Sequence, residues 1–437
     1  MSYFIASPRS GSGMLGAGLL AAGCVIAATG LNRFLSIGGI TMVIGLFAFL
    51  AKWLINLPPA SPRVTSYDND VAISVAGLFF FSFFAAWRFS VTSPPRIQRR
   101  AVTAPHLSGG KFGLLAVTAV LMIGLRRWLA ETYSIGVPGV VPQTPGGFGR
   151  LFGGLYYVSV YFPLGLALML LVTRQRSWLR PSVVALVLVG YAWVGASIGS
   201  RGAAVLAGGI YVLGIVWSAQ PTAGGGSRRS HGDWLAAVGA LSGVLYGVGY
   251  ALRQRASGYS ASGDSLAFIA GRVGGLDYLS PAVVAVRRFG MSHDFLEQST
   301  WNHFLNVTVY HLPTTATNGS AATLPGWMFG VGGAAWVVGS GVFAGVLGGI
   351  LDSSRSTRGS DAVSKLRLAG AVLAWSILLL EGNLSGAVYV AGMFAALALS
   401  AAPLVSERRP NDLPAVDLPT QFEVAKPSEA VSLQVAR

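Results

Sequence analysis

The sequence predicts an all-α fold, a polytopic transmembrane helix bundle of about eleven spans with one large extracytoplasmic loop. Of the 437 residues, 53% are hydrophobic and only 11% are Asp, Glu, Lys or Arg. Soluble domains usually carry about 25% of these charged residues, so a soluble chain of this length is excluded. The single cysteine, Cys24, lies in an apolar run, which excludes a disulfide scaffold and a cysteine-based zinc site.

The predicted spans are continuous apolar runs of about twenty residues. They cover residues 14–30, 34–57, 71–89, 112–125, 151–173, 182–198, 202–217, 234–252, 327–351, 366–380 and 386–402. The predicted transmembrane domain is therefore 1–402, and it includes an extracytoplasmic loop at 253–325. The proline-rich remainder, 403–437, is predicted to be a disordered cytoplasmic tail.

The basic residues orient the bundle. With the tail inside, nineteen of the 31 Lys and Arg residues lie on the cytoplasmic side, as the positive-inside rule predicts. The net charge of +15 is thus interpreted as a membrane signature, and no nucleic acid is expected as a partner. The other twelve, of which eleven are arginine, lie outside or in the outer half of a span: Arg9, Lys52, Arg63, Arg126, Arg127, Arg150, Arg201, Arg253, Arg255, Arg272, Arg287 and Arg288.

Membrane topology gives no reason for this outer surplus of arginine. The guanidinium group is always charged, and its planar fork matches phosphates and carboxylates. The surplus therefore indicates an anionic ligand on the outer face. Snorkelling to lipid headgroups is the alternative for any single arginine.

Two outer segments are long. Residues 126–150 are predicted to form a loop rich in proline and glycine that ends at Arg150, a candidate substrate-binding residue. Residues 253–325 form the largest non-spanning stretch, and loops of this length are usually functional. Its part 263–289 has apolar residues at helical spacing and is predicted to pack on the bundle.

Arg201 is the strongest single candidate. It lies between two predicted spans in Gly199-Ser-Arg-Gly202. A charge at the bilayer boundary is costly unless it has a partner or lines a wet cavity, and the flanking glycines permit a tight turn. A ligand-binding role is favoured over a hairpin turn with a snorkelling side chain.

Further candidates lie in the long loop. Arg272 and Asp277 are five residues apart, so they are predicted to face a common cavity rather than each other, with a solvated helix face as the alternative. Arg253 and Arg255 leave the eighth predicted span on alternate positions. They would bind lipid headgroups or a pyrophosphate near the membrane surface.

The histidines of this loop do not have metal-site spacing. His293, His303 and His311 are ten and eight residues apart, which matches no helix-face metal motif. His303 is a candidate general base or hydrogen-bond donor to a leaving group. The neighbouring Trp301 could stack on the apolar face of a sugar ring. An interfacial aromatic belt is the alternative interpretation.

Two features belong to the last predicted spans. Glu381, beside Asn383, is a carboxylate at the outer membrane boundary, and hence a candidate base or arginine partner. Gly341, Gly345 and Gly349 recur every four residues, which predicts tight helix packing. Motifs for nucleotides and dinucleotides are absent from the sequence, and no cofactor is expected.

The motif Ser197-Ile-Gly-Ser-Arg-Gly-Ala-Ala204 resembles the Gly-Ser-Arg signature of O-antigen polymerases, the Wzy-like oligosaccharide repeat unit polymerases. A later block, Leu324-Pro-Gly-Trp-Met-Phe-Gly-Val-Gly-Gly-Ala-Ala335, follows a long outer loop and enters a glycine-rich span, as in that family. The resemblance covers roughly residues 182–351 and lies mainly in topology.

This resemblance implies transfer of a lipid-linked glycan onto a lipid-linked repeat unit at the plasma membrane, without nucleotide or metal. The implied substrate is a polyprenyl-pyrophosphate-linked oligosaccharide in the bilayer, and the implied partners are a chain-length regulator and a flippase. Arg201, Arg272 and His303 would be the matching catalytic positions. An O-antigen-ligase-like transferase is a near alternative, and a polysaccharide or lipid transporter is a further one.

Overall fold

The computed structural model describes residues 10–30, 36–55, 65–92, 109–135, 149–172, 179–198, 206–208, 210–211, 275–309, 323–356 and 362–401. Every regular element within these ranges is a helix. The all-α prediction is therefore confirmed for this part of the chain. The tail 403–437 and residues 253–274 and 310–322 of the predicted loop, the latter with His311, lie outside the described residues.

The helices are named in chain order. They are α1 (Gly11–Gly30), α2 (Ile37–Ile44, continued by a π-helical segment Gly45–Ala51 and a last turn Lys52–Ile55), α3 (Ser66–Thr92), α4 (Gly109–Tyr133), α5 (Gly149–Val172), α6 (Leu179–Ser197), α7 (Leu276–Phe289), α8 (Gln298–Thr308), α9 (Leu324–Ser356), α10 (Ala362–Glu381) and α11 (Leu384–Ala401). A short 3₁₀ turn, His293–Leu296, precedes α8.

Six helices in the described ranges are long and apolar enough to cross a membrane, namely α1, α2, α3, α4, α5 and α9. Parts of α6 and α11 are apolar but shorter. The protein is thus a multi-helix, multi-pass membrane protein. The predicted total of eleven spans stays a prediction, because most of 202–217 and all of 234–252 lie outside the described residues.

The first helix group packs around the phenylalanines of α3. Phe79, Phe80, Phe83 and Phe84 are fully buried and form one core with residues of α1, α2, α7 and α9. The helix α9 approaches α3 through the glycine repeat. An added Cβ at Gly341, Gly345 or Gly349 would overlap the backbone or side chains of α3, so the predicted tight packing of this repeat is confirmed.

The second helix group has its own core. Side chains of α4, α5, α6, α10 and α11 form it, among them the fully buried Leu164, Tyr191 and Phe394. The helix α10 also contacts the first group. Trp375 Nε1 donates to Thr41 Oγ1 at 2.7 Å, and the Trp375 ring stacks on Phe83 at 5.5 Å.

The directions of the helices follow from their contacts. Ser10 N donates to Asp70 Oδ2 at 2.8 Å and Gly30 packs on Arg88, so α1 and α3 run parallel. The last turn of α2 meets the start of α3, where Trp53 Nε1 donates to Asp70 Oδ1 at 2.9 Å. Charge distribution predicts that this end of the bundle is outside, and we call it the outer end.

Glu381, the last residue of α10, belongs to the same end. The glycine repeat shows that α9 runs parallel to α3, so α9 finishes at the opposite, inner end. Only residues 357–361 join α9 to α10, and five residues reach at most about 18 Å, which is too short to cross a bilayer. Hence α10 starts at the inner end and finishes at the outer one.

The helix α7 of the predicted loop is anchored to the start of α3. The fully buried Asp68 forms an ion pair with Arg287, with Oδ1 and Nη1 2.9 Å apart, and Ser280 Oγ donates to Asn69 Oδ1 at 2.6 Å. The buried face of α7 includes Leu279 and joins the first core. The predicted packing of 263–289 on the bundle is thus confirmed for 276–289, whereas 263–274 lies outside the described residues.

Asp352 of α9 binds groups of α2 and α3 at the inner end of the bundle. Its carboxylate accepts from Ile37 N and Gly38 N, both at 3.0 Å, and from Trp87 Nε1 at 2.8 Å. It therefore caps α2 and connects α2, α3 and α9.

We expect Asp352→Ala to lower the free energy of unfolding in mixed micelles by about 1–3 kcal/mol, because buried donors lose a charged acceptor. An unchanged unfolding midpoint would contradict this role.

Candidate functional site

The residues predicted from sequence fall into three classes. Arg201, Arg253, Arg255 and Arg272 lie outside the described residues, so their predicted convergence on one cavity stays a prediction. Arg150 lies at the start of α5 and Asp277 at the start of α7, and only their backbone is described. The side chains of Trp301 and His303 are described, and both belong to α8.

Trp301 and His303 face different surroundings. Trp301 is fully buried and packs on Phe295, with ring centroids 4.9 Å apart, and on Gly330 of α9. His303 is exposed. Residues two apart on a helix point about 200° apart, so in this arrangement Trp301 packs the loop onto α9 while His303 is open to ligands.

A cluster of charged and phenolic side chains lies at the outer end of the second helix group. We call it the Arg126 cluster. Its members are Arg126 of α4, Tyr156, Tyr157 and Tyr161 of α5, Tyr191 of α6, Glu381 of α10, Asn383 of the following turn and Tyr389 of α11.

Arg126 is the centre of this cluster. It is only 1% exposed, because it shares the inward face of α4 with the buried Ala119 and Ala130. Its guanidinium carbon lies 4.6 Å from the centroid of the Tyr191 ring, a cation–π geometry. A cation enclosed at this depth costs folding free energy, so such residues usually serve function.

The turn between α10 and α11 brings a carboxylate to the same place. Gly382 has a φ of 59°, a left-handed conformation that glycine adopts without strain. The turn is stabilised by Asn383, whose Oδ1 accepts from Gly386 N at 2.8 Å and whose Nδ2 donates to the Tyr157 hydroxyl. Glu381, just before the turn, is exposed and interacts electrostatically with Tyr157.

Tyr156 interacts with both charged residues of the cluster, Arg126 and Glu381. The cluster therefore combines an enclosed cation, an exposed carboxylate and several phenol hydroxyls. These groups match a ligand that carries both negative charge and hydroxyl groups.

Three of the tyrosine rings form a ladder between α5 and α11. The rings of Tyr161 and Tyr157 are 6.3 Å apart and inclined by 7°, and those of Tyr157 and Tyr389 are 6.4 Å apart and inclined by 10°. Tyr157 packs on Gly386 of α11, and Tyr389 packs on Gly154 of α5. The small residues thus hold both rings in place.

Sequence reasoning identified part of this cluster. Arg126 was predicted only as one of the outer arginines, and Glu381 as a base or arginine partner beside Asn383. The tyrosines were missed, since aromatic residues near the end of a span are typical of the interfacial belt. Their repetition in the middle and first part of α5, at positions 156, 157 and 161, is the signal that could have identified them.

Among the residues that the structure describes, no group of three or more His, Cys, Asp or Glu side chains could hold a metal ion.

Comparisons of the chain with family models, with curated proteins and with solved structures find no match. The class that the helices support is a multi-helix membrane protein.

Proposed function

We propose that the protein is a membrane glycosyltransferase that polymerises polyprenyl-pyrophosphate-linked oligosaccharide repeat units on the extracytoplasmic face. The product would be a surface or capsular polysaccharide. The Arg126 cluster is the observation that supports this most. Its enclosed cation, accessible carboxylate and phenols at the predicted outer end suit a substrate made of sugar, phosphate and lipid.

The proposed reaction needs a base and a cation. A hydroxyl oxygen of the acceptor sugar attacks the anomeric carbon of the donor, and the bond from that carbon to the pyrophosphate oxygen breaks. The electron pair leaves with the polyprenyl pyrophosphate, and the hydroxyl proton goes to a base. Glu381 is exposed at the predicted outer end, where it can act as that base. Arginine stabilises the charge that develops on the leaving group.

Arg201 and Arg272 stay proposed catalytic residues, and Arg253 and Arg255 stay proposed ligands of the pyrophosphate or of lipid headgroups. His303, exposed on α8, stays a candidate base. Arg150 and Asp277 stay candidate substrate-binding residues. For Trp301, a role in packing α8 onto α9 is better supported than direct sugar stacking. The proposed location is the plasma membrane, and the proposed partners are a flippase and a chain-length regulator.

The buried charges also favour a second function, a polysaccharide or lipid transporter. Lys52 and Asp70 of the first helix group are buried at the outer end, as is Arg126 of the second, and buried ionisable residues in membrane proteins often mark a substrate or ion pathway. A ligase-like transferase would use the same chemistry as the polymerase and differ only in its acceptor.

A deletion strain complemented with variants tests the proposal. We expect the deletion to leave single lipid-linked repeat units outside, and Glu381→Gln to lower polymer yield at least about a hundredfold, because an amide accepts no proton. The control Glu297→Gln changes an exposed carboxylate of the outer loop and is expected to restore full chain length. Gel profiles of the polysaccharide give both readouts.

Other profiles would contradict a polymerase. Polymer of normal length that is not attached to its final acceptor would indicate a ligase. Lipid-linked units that accumulate inside the cell would indicate a flippase.

A further inference from the structure

Asn383 lies directly before α11 and caps its first turn. Its side-chain Oδ1 accepts a hydrogen bond from Gly386 N at 2.8 Å, and its main-chain oxygen accepts from Ala387 N at 3.0 Å. This is the N-cap arrangement, in which a side-chain oxygen satisfies an N–H group of the first turn. The cap therefore determines the orientation of the Asn383 amide, because its oxygen has to face α11.

The nitrogen of the same amide meets Tyr157 of α5. Nδ2 of Asn383 donates to the Tyr157 hydroxyl oxygen, since an amide NH₂ group can donate a hydrogen bond but cannot accept one. A phenol hydroxyl that accepts in this way still has its own proton to donate to a second partner. Asn383 thus makes Tyr157 a hydrogen-bond donor within the Arg126 cluster.

The phenol of Tyr157 is held in place by its neighbours. Its hydroxyl end lies against Gly386, where an added Cβ would come within 2.9 Å of the hydroxyl oxygen. Its ring is nearly parallel to those of Tyr161 and Tyr389, with centroids 6.3 Å and 6.4 Å away. Tyr157 also lies within electrostatic range of the exposed Glu381. A fixed donor and the proposed base therefore belong to the same part of the cluster.

We propose that Asn383 is a positioning residue, which directs the Tyr157 hydroxyl to donate to an oxygen of the acceptor sugar beside Glu381. The proposal rests on the proposed function and adds to it a residue that acts through another. Hydroxyl and ring oxygens of a sugar are acceptors of the required kind. A hydrogen bond from Tyr157 to one of them would hold the sugar while its attacking hydroxyl gives its proton to Glu381.

Asn383→Asp reverses this hydrogen bond and keeps the cap. Aspartate caps a helix as well as asparagine does, but an ionised carboxylate can only accept, so the Tyr157 proton would turn toward residue 383 and away from the sugar. The substrate for the test is the lipid-linked repeat unit isolated from the deletion strain, and the purified full-length protein is assayed in liposomes. We expect Asn383→Asp to lower kcat/KM at least about tenfold, with an unfolding midpoint near that of the wild type.

A double-mutant cycle tests whether Asn383 acts through Tyr157. Tyr157→Phe removes the hydroxyl and is expected to lower kcat/KM by a similar factor. In the Tyr157→Phe protein, Asn383→Asp is then expected to have no further effect, because no phenol proton is left to redirect. Losses that multiply in the double variant would overturn the proposal, since Asn383 would then act independently of the phenol.

Ser385→Asp is the matched control for charge. It places a carboxylate on an exposed position of the same turn and leaves both Asn383 and Tyr157 unchanged. It is expected to keep the wild-type kcat/KM. A loss as large as that of Asn383→Asp would overturn the proposal, because the added charge would then explain the effect without any change in hydrogen-bond direction.

Failure of the positioning role and failure of the proposed function give different results. Chain extension by the wild-type protein, with an unchanged kcat/KM in Asn383→Asp, would contradict the role of Asn383 alone. Normal polysaccharide in the deletion strain, or wild-type protein that does not extend the isolated units, would contradict the polymerase and the positioning role with it.

Discussion

Replacing Arg126 with glutamine is expected to lower polymer synthesis at least about a hundredfold, the loss typical when one charged stabiliser is removed from a reacting site. Arg126 is enclosed at the outer end of the second helix group and lies 4.6 Å from the Tyr191 ring. Glutamine keeps hydrogen-bonding capacity but has no charge. Polysaccharide profiles of a complemented deletion strain provide the measurement.

The unfolding stability of an Arg126 variant distinguishes a functional role of this residue from a structural one. Enclosing the charge of Arg126 costs folding free energy, and methionine fills a similar volume without that charge. We therefore expect Arg126→Met to stay folded, with an unfolding midpoint near that of the wild type, while activity is lost. An Arg126→Met protein that is strongly destabilised and yet active would contradict the proposed role.

Two further variants control for charge and location. Arg288→Gln removes an exposed arginine of α7 at the same end, and it is expected to leave chain length unchanged. Arg126→Lys keeps the charge without the planar fork, so it is expected to recover part of the lost activity. Full activity in Arg126→Gln would remove Arg126 from the mechanism.

The helical architecture could be predicted because its causes are local. Apolar runs indicate the spans. The repeat of Gly341, Gly345 and Gly349 indicates close helix packing even when the partner helix is not known. The spacing of apolar residues likewise predicted that 263–289 packs on the bundle, which the structure confirms for 276–289, since one face of a helix is determined by its own period.

The Arg126 cluster could not be predicted because its causes are tertiary. It combines side chains of α4, α5, α6, α10 and α11, and no spacing along the chain relates them. Arg126 and Arg127 look alike in the sequence. Only the packing of α4 separates an enclosed residue from an exposed one: Arg126 is 1% exposed as a residue, whereas the Arg127 side chain is 56% exposed. Trp301 illustrates the same limit, because its burial depends on contacts with α9.

Substitution in the glycine repeat of α9 is expected to have a large effect on stability. An added Cβ at Gly345 would overlap the carbonyl oxygen of Phe83, a backbone atom that can move only if the two helices separate. We expect Gly345→Ala to lower the free energy of unfolding by about 1–3 kcal/mol, the usual cost of overpacking. The unfolding midpoint of the purified protein in mixed micelles gives the measurement.

Gly339 of the same helix provides the matched control. Its added Cβ would have no atom within 4 Å, so Gly339→Ala brings only the higher helix propensity of alanine, about 0.5–1 kcal/mol of stabilisation. The two substitutions are chemically identical and lie six residues apart, and yet they are expected to shift the midpoint in opposite directions. Shifts of the same sign would mean that helix propensity, rather than the contact with α3, determines the response of α9.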